Sequence, residues 1–261
     1  MESFKIATYN VNSIRSRLHI ILPWLEKHSP HILCIQETKV EDSQFPVSVF
    51  LERGYYITFR GRKQYNGVAI ASLWEPENVC YGMDDASSPD DDRLLCVRFG
   101  DLSILNTYVP QGRDRESEHF AYKLKWFARL EQWISRTWSP SDRLIWCGDL
   151  NVAPEPIDVY DPKRLLGHVC FNTDVWSAYE RICSWGLKDV FRKHHPGEEK
   201  QYTFYDYRAR TMQRGLGWRI DHILATDPLY RLSRSCDIDL EPRQAEKPSD
   251  HTVLYAEFHE K

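Results

Sequence analysis

The chain has 261 residues, 42% hydrophobic and 28% charged, with a net charge of −4. That is the composition of a soluble globular protein with aromatic residues enough for a large core, and no stretch approaches the ~20 apolar residues of a membrane span. The acidic balance says little about nucleic acid, because exposed charges are screened beyond ~8 Å in physiological salt and local patches outweigh the sum.

From the N-terminus, residues 4–9 alternate as a strand. Leu18, Ile21, Leu22 and Leu25 then keep helical spacing, with Pro23 inside the stripe, so this helix should start near Pro23 or kink there. Residues 31–35 form a short apolar strand that ends at Gln36-Glu37. Residues 55–59, 68–73, 94–99 and 102–109 read as four more strands, with Asn66-Gly67 and Gly100-Asp101 as turns between them. The acidic run 83–92 reads as a solvated loop. Phe120, Leu124, Phe127, Leu130 and Ile134 mark a long amphipathic helix over 116–138. Residues 144–147 form a strand, and 152–171, rich in Pro and Asp, a structured surface loop. Asp174 can cap a helix that ends before Gly186. Residues 202–205, 219–225, 232–240 and 252–258 complete the strands.

There is no internal repeat, linker or low-complexity tract, so one domain of strand-rich layers covered by a few helices is expected. The seven cysteines contain no CxxC and no tight pair, which argues against a disulfide framework or a thiolate zinc site. Cys34, Cys96 and Cys147 lie in apolar runs and read as buried free thiols. With an N-terminus that leads straight into a strand, without an apolar signal region, they point to a reducing cytoplasm.

Several polar residues close strand-like segments, which places them on the rim of a sheet. Glu37 is suited to a hard cation such as Mg²⁺, although alone it reads more simply as a strand-end carboxylate in water. Asp149 and Asn151 have i, i+2 spacing, so on an extended chain both face one side. One could activate a water while the other donates to a phosphate oxygen; an Asx turn accounts for them equally well. Asp221-His222 and Asp250-His251 are two acid–imidazole pairs. Adjacent strand residues point opposite ways, so His251 should pair with Asp221 and His222 should face away. A carboxylate partner would favour the protonated imidazole. Tyr108 could bind phosphate or assist a leaving group, or sit at the core edge. Arg208, Arg210, Arg214 and Arg219, with Met212 and Trp218 among them, suit a flexible basic loop that touches phosphates and wedges or stacks. Arg15 with Arg17 is a smaller basic cluster.

Seven strings, KIATYNVNSIRSR, ILCIQETK, NTYVPQG, WCGDLNVAP, QYTFYDYR, GLGWRIDHIL and PSDH, occur in order from one end of the chain to the other. Together they resemble the exonuclease III family of apurinic/apyrimidinic endonucleases, within the endonuclease/exonuclease/phosphatase superfamily. The resemblance implies a four-layer α/β sandwich, with two packed mixed β-sheets flanked by helices. It also implies a Mg²⁺- or Mn²⁺-dependent phosphodiesterase acting on duplex DNA. By position, Glu37 would hold the metal with Asn10 and Asp250 nearby, and Asp149 would activate the attacking water with Asn10 orienting it. Asn151 and His251 would grip the scissile phosphate, Asp221 would orient His251, and Tyr108 would contact the phosphate or assist the leaving oxygen. Phe204, Trp218 and Ile220 match the pocket for a base-less sugar, and Arg15, Gln111, Arg208 and Arg214 match substrate-binding positions. Asn12 stands where some relatives have Asp, Ser13 where Gly is common, and Gln111 where some have Asn.

The expected activity is hydrolysis 5′ to abasic sites that leaves a 3′-hydroxyl, with 3′–5′ exonuclease and 3′-end cleaning, by a monomer. The same chemistry on RNA, an inositol phosphate or a phospholipid headgroup is the alternative. The aromatic pocket strings and the basic loop weigh against it. A non-catalytic DNA-binding scaffold would have no chemical need for Asn10, Glu37, Asp149, Asn151, Asp221 and His251 together.

Overall fold

The computed structural model describes residues 3–84, 91–208 and 211–259. Its strands are β1 (Ser3–Asn10), β2 (Ile32–Gln36), β3 (Tyr56–Arg62), β4 (Tyr65–Ser72), β5 (Asn78–Tyr81), β6 (Leu94–Phe99), β7 (Leu102–Tyr108), β8 (Arg143–Asp149), β9 (Leu187–Asp189), β10 (Asp221–Thr226), β11 (Ser233–Asp239) and β12 (Val253–His259). Its α-helices are α1 (Ile14–His28), α2 (Val47–Leu51), α3 (Glu118–Thr137), α4 (Pro162–Leu165), α5 (Thr173–Gly186), α6 (Val190–His194), α7 (Asp227–Leu232) and α8 (Glu241–Gln244). The strands form two six-stranded sheets, ordered β11-β12-β1-β2-β4-β3 and β5-β6-β7-β8-β10-β9.

Each sheet is buried on both faces. Between the sheets, Phe4, Ile6, Cys34, Ile70 and Phe258 meet Leu95, Ile104, Ile145, Cys147 and Ile223. Outside the first sheet, Ile21, Trp24 and Leu25 of α1 cover Tyr9, Leu33 and Ala71. Outside the second, Trp126, Phe127, Leu130 and Ile134 of α3 and Val175 and Ile182 of α5 cover Leu105, Leu144 and Trp146. The result is the expected four-layer sandwich, and burial of each such side chain contributes about 1.5–3 kcal/mol. Periodicity in the central strands is weak because both faces are apolar.

Both sheets are mixed, and their parallel pairs decide where the polar strand ends fall. β1 runs parallel to β2 with Asn10 opposite Gln36, and β7 runs parallel to β8 with Tyr108 opposite Asp149. β10 is antiparallel to β8, which sets the first residue of β10, Asp221, directly opposite Asp149. Side-chain hydrogen bonds between the sheets lie just beneath this rim. Gln36 Nε2 donates to Asn106 Oδ1 at 2.7 Å and to Thr8 Oγ1 at 2.9 Å, while Asn106 Nδ2 donates to the Ile35 and Ala69 carbonyls.

Several local expectations are corrected. α1 runs through Pro23 rather than starting there. The β3–β4 turn falls at Lys63-Gln64, whereas Asn66-Gly67, with φ of 46° and 94°, lies within β4 and receives the Thr38 and Lys39 amides on its carbonyls. The cap of α5 is Asn172, whose side chain accepts from the Asp174 and Val175 amides, and Asp174 occupies the first turn. Residues 202–205 make only isolated bridges, Phe204 with Trp218 and with His251. The region 232–240 starts in helix α7 before β11, and the short β5 and β9 carry no usable alternation. Of the acidic run, Asp85 to Asp90 lie outside the described residues, but Met83 and Asp92 are buried, and Asp92 accepts from Asn66 Nδ2 at 2.9 Å.

Gly148, just before Asp149, has φ of 133°, and a Cβ there would lie 2.0 Å from the Thr107 carbonyl oxygen. A backbone atom cannot yield as a flexible side chain can. Gly148→Ala is therefore expected to cost about 2–4 kcal/mol in urea denaturation, whereas Gly54→Ala, with nothing within 4 Å of its Cβ, should cost no more than its φ strain.

Candidate active site

The ends of β1, β2, β7 and β8, the start of β10 and the segment before β12 converge on one rim. Asn10 is fully buried there. Its Nδ2 donates to Glu37 Oε1 at 2.8 Å and to Asp149 Oδ2 at 2.9 Å, so one amide joins an acid from each sheet. Its Oδ1 accepts from the Asn12 amide at 3.1 Å, which fixes which way the group points. Glu37 and Asn151 both adopt left-handed backbone conformations, with φ of 53° and 50°. Non-glycine residues hold such angles only where their surroundings enforce them. For Asn151 the enforcing bonds are its amide to Asp149 Oδ1 at 3.0 Å and its Nδ2 to the Val109 carbonyl at 3.0 Å. The Asx turn and the same-rim placement are thus both present.

His251 lies between two carboxylates. Its Nδ1 is 2.8 Å from Asp221 Oδ2, and its Nε2 is 3.7 Å from Asp149 Oδ2. Burial alone would depress the imidazole, but Asp221 and Asp149 outweigh it and hold its pKa up at about 10. Asp149 is pushed up by burial first and by Asp221 and Glu37 further, with His251 opposing. Burial would raise Glu37 too, but Lys39, whose Nζ is 2.7 Å from Oε2, brings it below the usual carboxylate range. Tyr108 is raised well above an ordinary phenol by burial and then by the Glu37 and Asp149 charges, so it stays a donor, with its hydroxyl on Glu37.

His222 points the other way, as expected, with Nε2 2.8 Å from the Val152 carbonyl oxygen and Nδ1 3.1 Å from Arg219. Arg219 corrects the reading of the basic loop. It is completely buried and paired with Asp158 and Asp189, both at 2.7 Å. Arg192 closes the network on Asp158. These charges lock the 150–160 loop against β10 and are unavailable to a phosphate. Arg15 is exposed in the first turn of α1, and Arg208 and Arg214 are exposed on the loop between Phe204 and Trp218; Arg210 lies outside the described residues.

Phe204, Trp218 and Ile220 do come together, with Ala153, Val159, Leu165 and Phe171 behind them. They line one side of a cleft of about 480 Å³ whose other side carries Glu37, Tyr108, Gln111, Asp149, Asn151, Asp250 and His251. The Phe204 ring sits 5.0 Å from the His251 ring. Two walls were not foreseen: His168, 4.7 Å from the Trp218 ring, and Tyr160 at 6.5 Å. They come from the aperiodic 152–171 loop and carried no signal. Lys123 was also missed, although 120, 123, 127, 130 and 134 share one helical face. It is fully buried behind Asn151 and donates to the carbonyls of Gln111, Asn151 and Val169 at 3.1, 2.7 and 2.8 Å.

Among the described residues, Glu37, Asp149 and His251 bring ligand atoms within 4.8 Å of one another. A protonated imidazole has no lone pair to give, which leaves the oxygens of Glu37 and Asp149, the donor type a hard divalent cation takes. Asp250 is outside this cluster but lines the same cleft, and its Oδ1 accepts from Asn12 Nδ2 at 3.0 Å. Asn12 also accepts from Lys39 at 2.5 Å, so it ties the Glu37 loop to Asp250.

A carboxylate niche beside an imidazolium and an inward amide, on the rim of a two-sheet sandwich, defines a phosphoester-cleaving enzyme. Residues 7–251 match the Endonuclease/Exonuclease/phosphatase family. Exodeoxyribonuclease III of Haemophilus influenzae is 32% identical, over 97% of this chain and 99% of its own. Among solved structures, an AP endonuclease from Archaeoglobus fulgidus superposes with a TM-score of 0.95 at 53% identity, over 98% of this chain and 99% of its own. The 3′ phosphatase NExo from Neisseria, bound to product DNA hairpin, gives 0.91 at 34%, over 98% and 99%. The chain belongs to the Endonuclease/Exonuclease/phosphatase family and, within it, to the exonuclease III group of apurinic/apyrimidinic endonucleases.

The Arg219 network yields a stability test. Asp158→Ala would remove the carboxylate that Arg219 and Arg192 share, leaving the buried Arg219 only Asp189, and should cost about 3–5 kcal/mol in chemical denaturation. Arg208→Ala, on the exposed loop, should stay within about 0.5 kcal/mol of the parent.

Proposed function

We propose that the protein is a divalent-metal-dependent DNA repair phosphodiesterase. It cuts 5′ to abasic sites, leaves a 3′-hydroxyl, and removes blocking groups and nucleotides from 3′ ends. The observation that carries this reading is a single cleft with Glu37, Asp149 and His251, held from beneath by Asn10 and Asp221, on one side and the Phe204–Trp218–Ile220 wall on the other. The exodeoxyribonuclease III and AP endonuclease relatives and the DNA-bound neighbour support DNA as substrate.

Mg²⁺ or Mn²⁺ fits the oxygen donors of Glu37, with Asn10 and Asp250 beside it, and a bound ion would stabilise negative charge on the phosphate oxygens. Asp149 takes the proton of the attacking water. Its raised pKa makes it a stronger base than an ordinary carboxylate, and the Asn10 bond fixes the oxygen that acts. His251, held protonated and oriented by Asp221, donates to a non-bridging phosphate oxygen from Nε2. Asn151 spends one amide hydrogen on the Val109 carbonyl and has the second for the phosphate. Tyr108 remains protonated and can donate to the departing 3′-oxygen.

The apolar wall explains selection of a missing base. A nucleotide turned out of the stack must be paid for in lost stacking and pairing, least where the base is already gone. A pocket walled by Trp218, Phe204 and His168 admits a bare sugar and meets a base with steric clash. Arg15, Gln111, Arg208 and Arg214 would track the flanking backbone. The protein is taken as one domain acting as a monomer in the cytoplasm, in keeping with seven free thiols.

End-labelled duplex DNA with one abasic site should be nicked just 5′ to the lesion in Mg²⁺ and left intact in EDTA. An uncut duplex from folded protein in Mg²⁺ would refute the proposal. Asp149→Asn and His251→Ala should each lower kcat by at least ~10²–10³-fold, the usual loss for such a group. Turnover near that of the parent in either folded variant would remove its assigned role. The pH profile should fall on both sides. Activity needs Asp149 deprotonated, so it drops as pH falls through that group's raised pKa. It needs His251 protonated, so it drops as pH rises through about 10. Asp221 supports the charged imidazole, so Asp221→Asn should move the alkaline limb to lower pH.

A further inference from the structure

A second group of side chains of metal-ligating type lies on the outer face of the first sheet, apart from the cleft. His28 at the end of α1, Asp239 at the end of β11 and Glu241 at the start of α8 bring one ligand atom each within 4.8 Å of one another. Their geometry is set by the fold. The α1 helix packs against α8, and the Trp24 ring stacks on the His28 ring at 4.6 Å with an 11° tilt, which fixes the plane of the imidazole. His28 Nε2 is shielded from solvent and makes no hydrogen bond, although it stands 3.4 Å from Asp239 Oδ2. That separation matches the edge of a tetrahedron whose ligands stand ~2.0–2.1 Å from a central zinc.

The carboxylate is oriented as ligating groups usually are. Trp24 Nε1 donates to Asp239 Oδ2 at 2.8 Å, and the Glu241 amide donates to Oδ1 at 2.9 Å. Each oxygen keeps a lone pair, and fixed outer partners of this kind hold a ligand in place before a metal arrives. Glu241 pairs with Lys27, and both side chains are more than half exposed, so the ammonium can swing into water when a cation takes its place. A small niche of about 180 Å³, lined by Trp24, Lys27, Glu241 and Pro242, opens beside the group and leaves room for water to complete the coordination.

We propose that His28, Asp239 and Glu241 form a second divalent-metal site, of a nitrogen-plus-two-carboxylate type that zinc takes readily, separate from the catalytic centre. One imidazole and two carboxylates make a softer set than the oxygens around Glu37, so the two sites should sort cations, with zinc here and magnesium or manganese in the cleft. Zinc would join α1 to the β11–α8 connection, elements far apart in sequence, and would act on stability rather than on the chemical step.

The test uses the full chain carrying Glu37→Gln and Asp149→Asn, so that the cleft loses both carboxylates of its own ligand cluster. Zinc chloride is titrated calorimetrically, and Tm is followed with and without the metal. This protein should bind one zinc ion and melt a few degrees higher with it. Cobalt(II) should give a visible ligand-field band as it fills the same site. Adding His28→Ala should abolish the binding heat, the Tm shift and the cobalt band. Adding Glu241→Gln, on an exposed side chain that cannot unfold the core, should weaken all three. No zinc uptake by the Glu37→Gln, Asp149→Asn protein, or uptake that both further substitutions leave unchanged, would overturn the site.

Discussion

Two carboxylates stand directly opposite each other across β8 and β10, and one imidazole separates them. Like charges placed so are destabilising, and Asp149 and Asp221 are both buried. What makes the pair tolerable is His251, bonded to Asp221 at Nδ1 and facing Asp149 at Nε2. The arrangement carries one positive charge for two acids, and Glu37 nearby adds a third acid, partly offset by Lys39. The rim therefore holds an excess of negative charge that a divalent cation can relieve. Burial first, and then the same excess of negative charge, raise Asp149 and so supply a base. Catalytic power and electrostatic strain are here one property of the same four side chains.

Buried charge is handled differently a few residues away. Asp158, Asp189, Arg192 and Arg219 nearly neutralise one another, with short bonds and little exposure. Such a network contributes little net stability but makes any one deletion costly. It fixes Arg219, and with it the flanking Trp218 and Ile220 that wall the cleft. Lys123 plays a similar part with no acid at all: an ammonium has three hydrogens, and three carbonyls accept them. Those carbonyls belong to the segments that carry Gln111, Asn151 and Cys170 to the cleft.

Much of this was legible in the sequence because strand ends are legible. Apolar runs that stop at Glu37, Tyr108 and Asp149 place polar side chains on a rim whatever the tertiary detail, and the alternation rule alone separated His251 from His222. Cap identity and turn position were less accessible. Asn172 and Asp174 are equally good caps by type, and Asn66-Gly67 is as good a turn as Lys63-Gln64 until the neighbouring Thr38 loop selects a bulge. The basic reading of Arg219 failed because its partners lie 61 and 30 residues away, a distance at which spacing says nothing. His168 and Tyr160 sit in a loop without periodicity, so no pattern could assign them. Lys123 was within reach, since a lysine on the apolar face of a helix demands partners.

The Gln36–Asn106 hydrogen bond beneath the rim has a consequence for partly folded states. Asn10, Glu37 and the segment leading to His251 belong to one sheet, and Tyr108, Asp149 and Asp221 to the other. Neither sheet alone contains a working half. A compact state that kept its strands and helices but let the sheets slide by an ångström would look native to far-ultraviolet circular dichroism and would have no active site. Enzyme activity in this protein is therefore a gauge of how tightly its two sheets are docked.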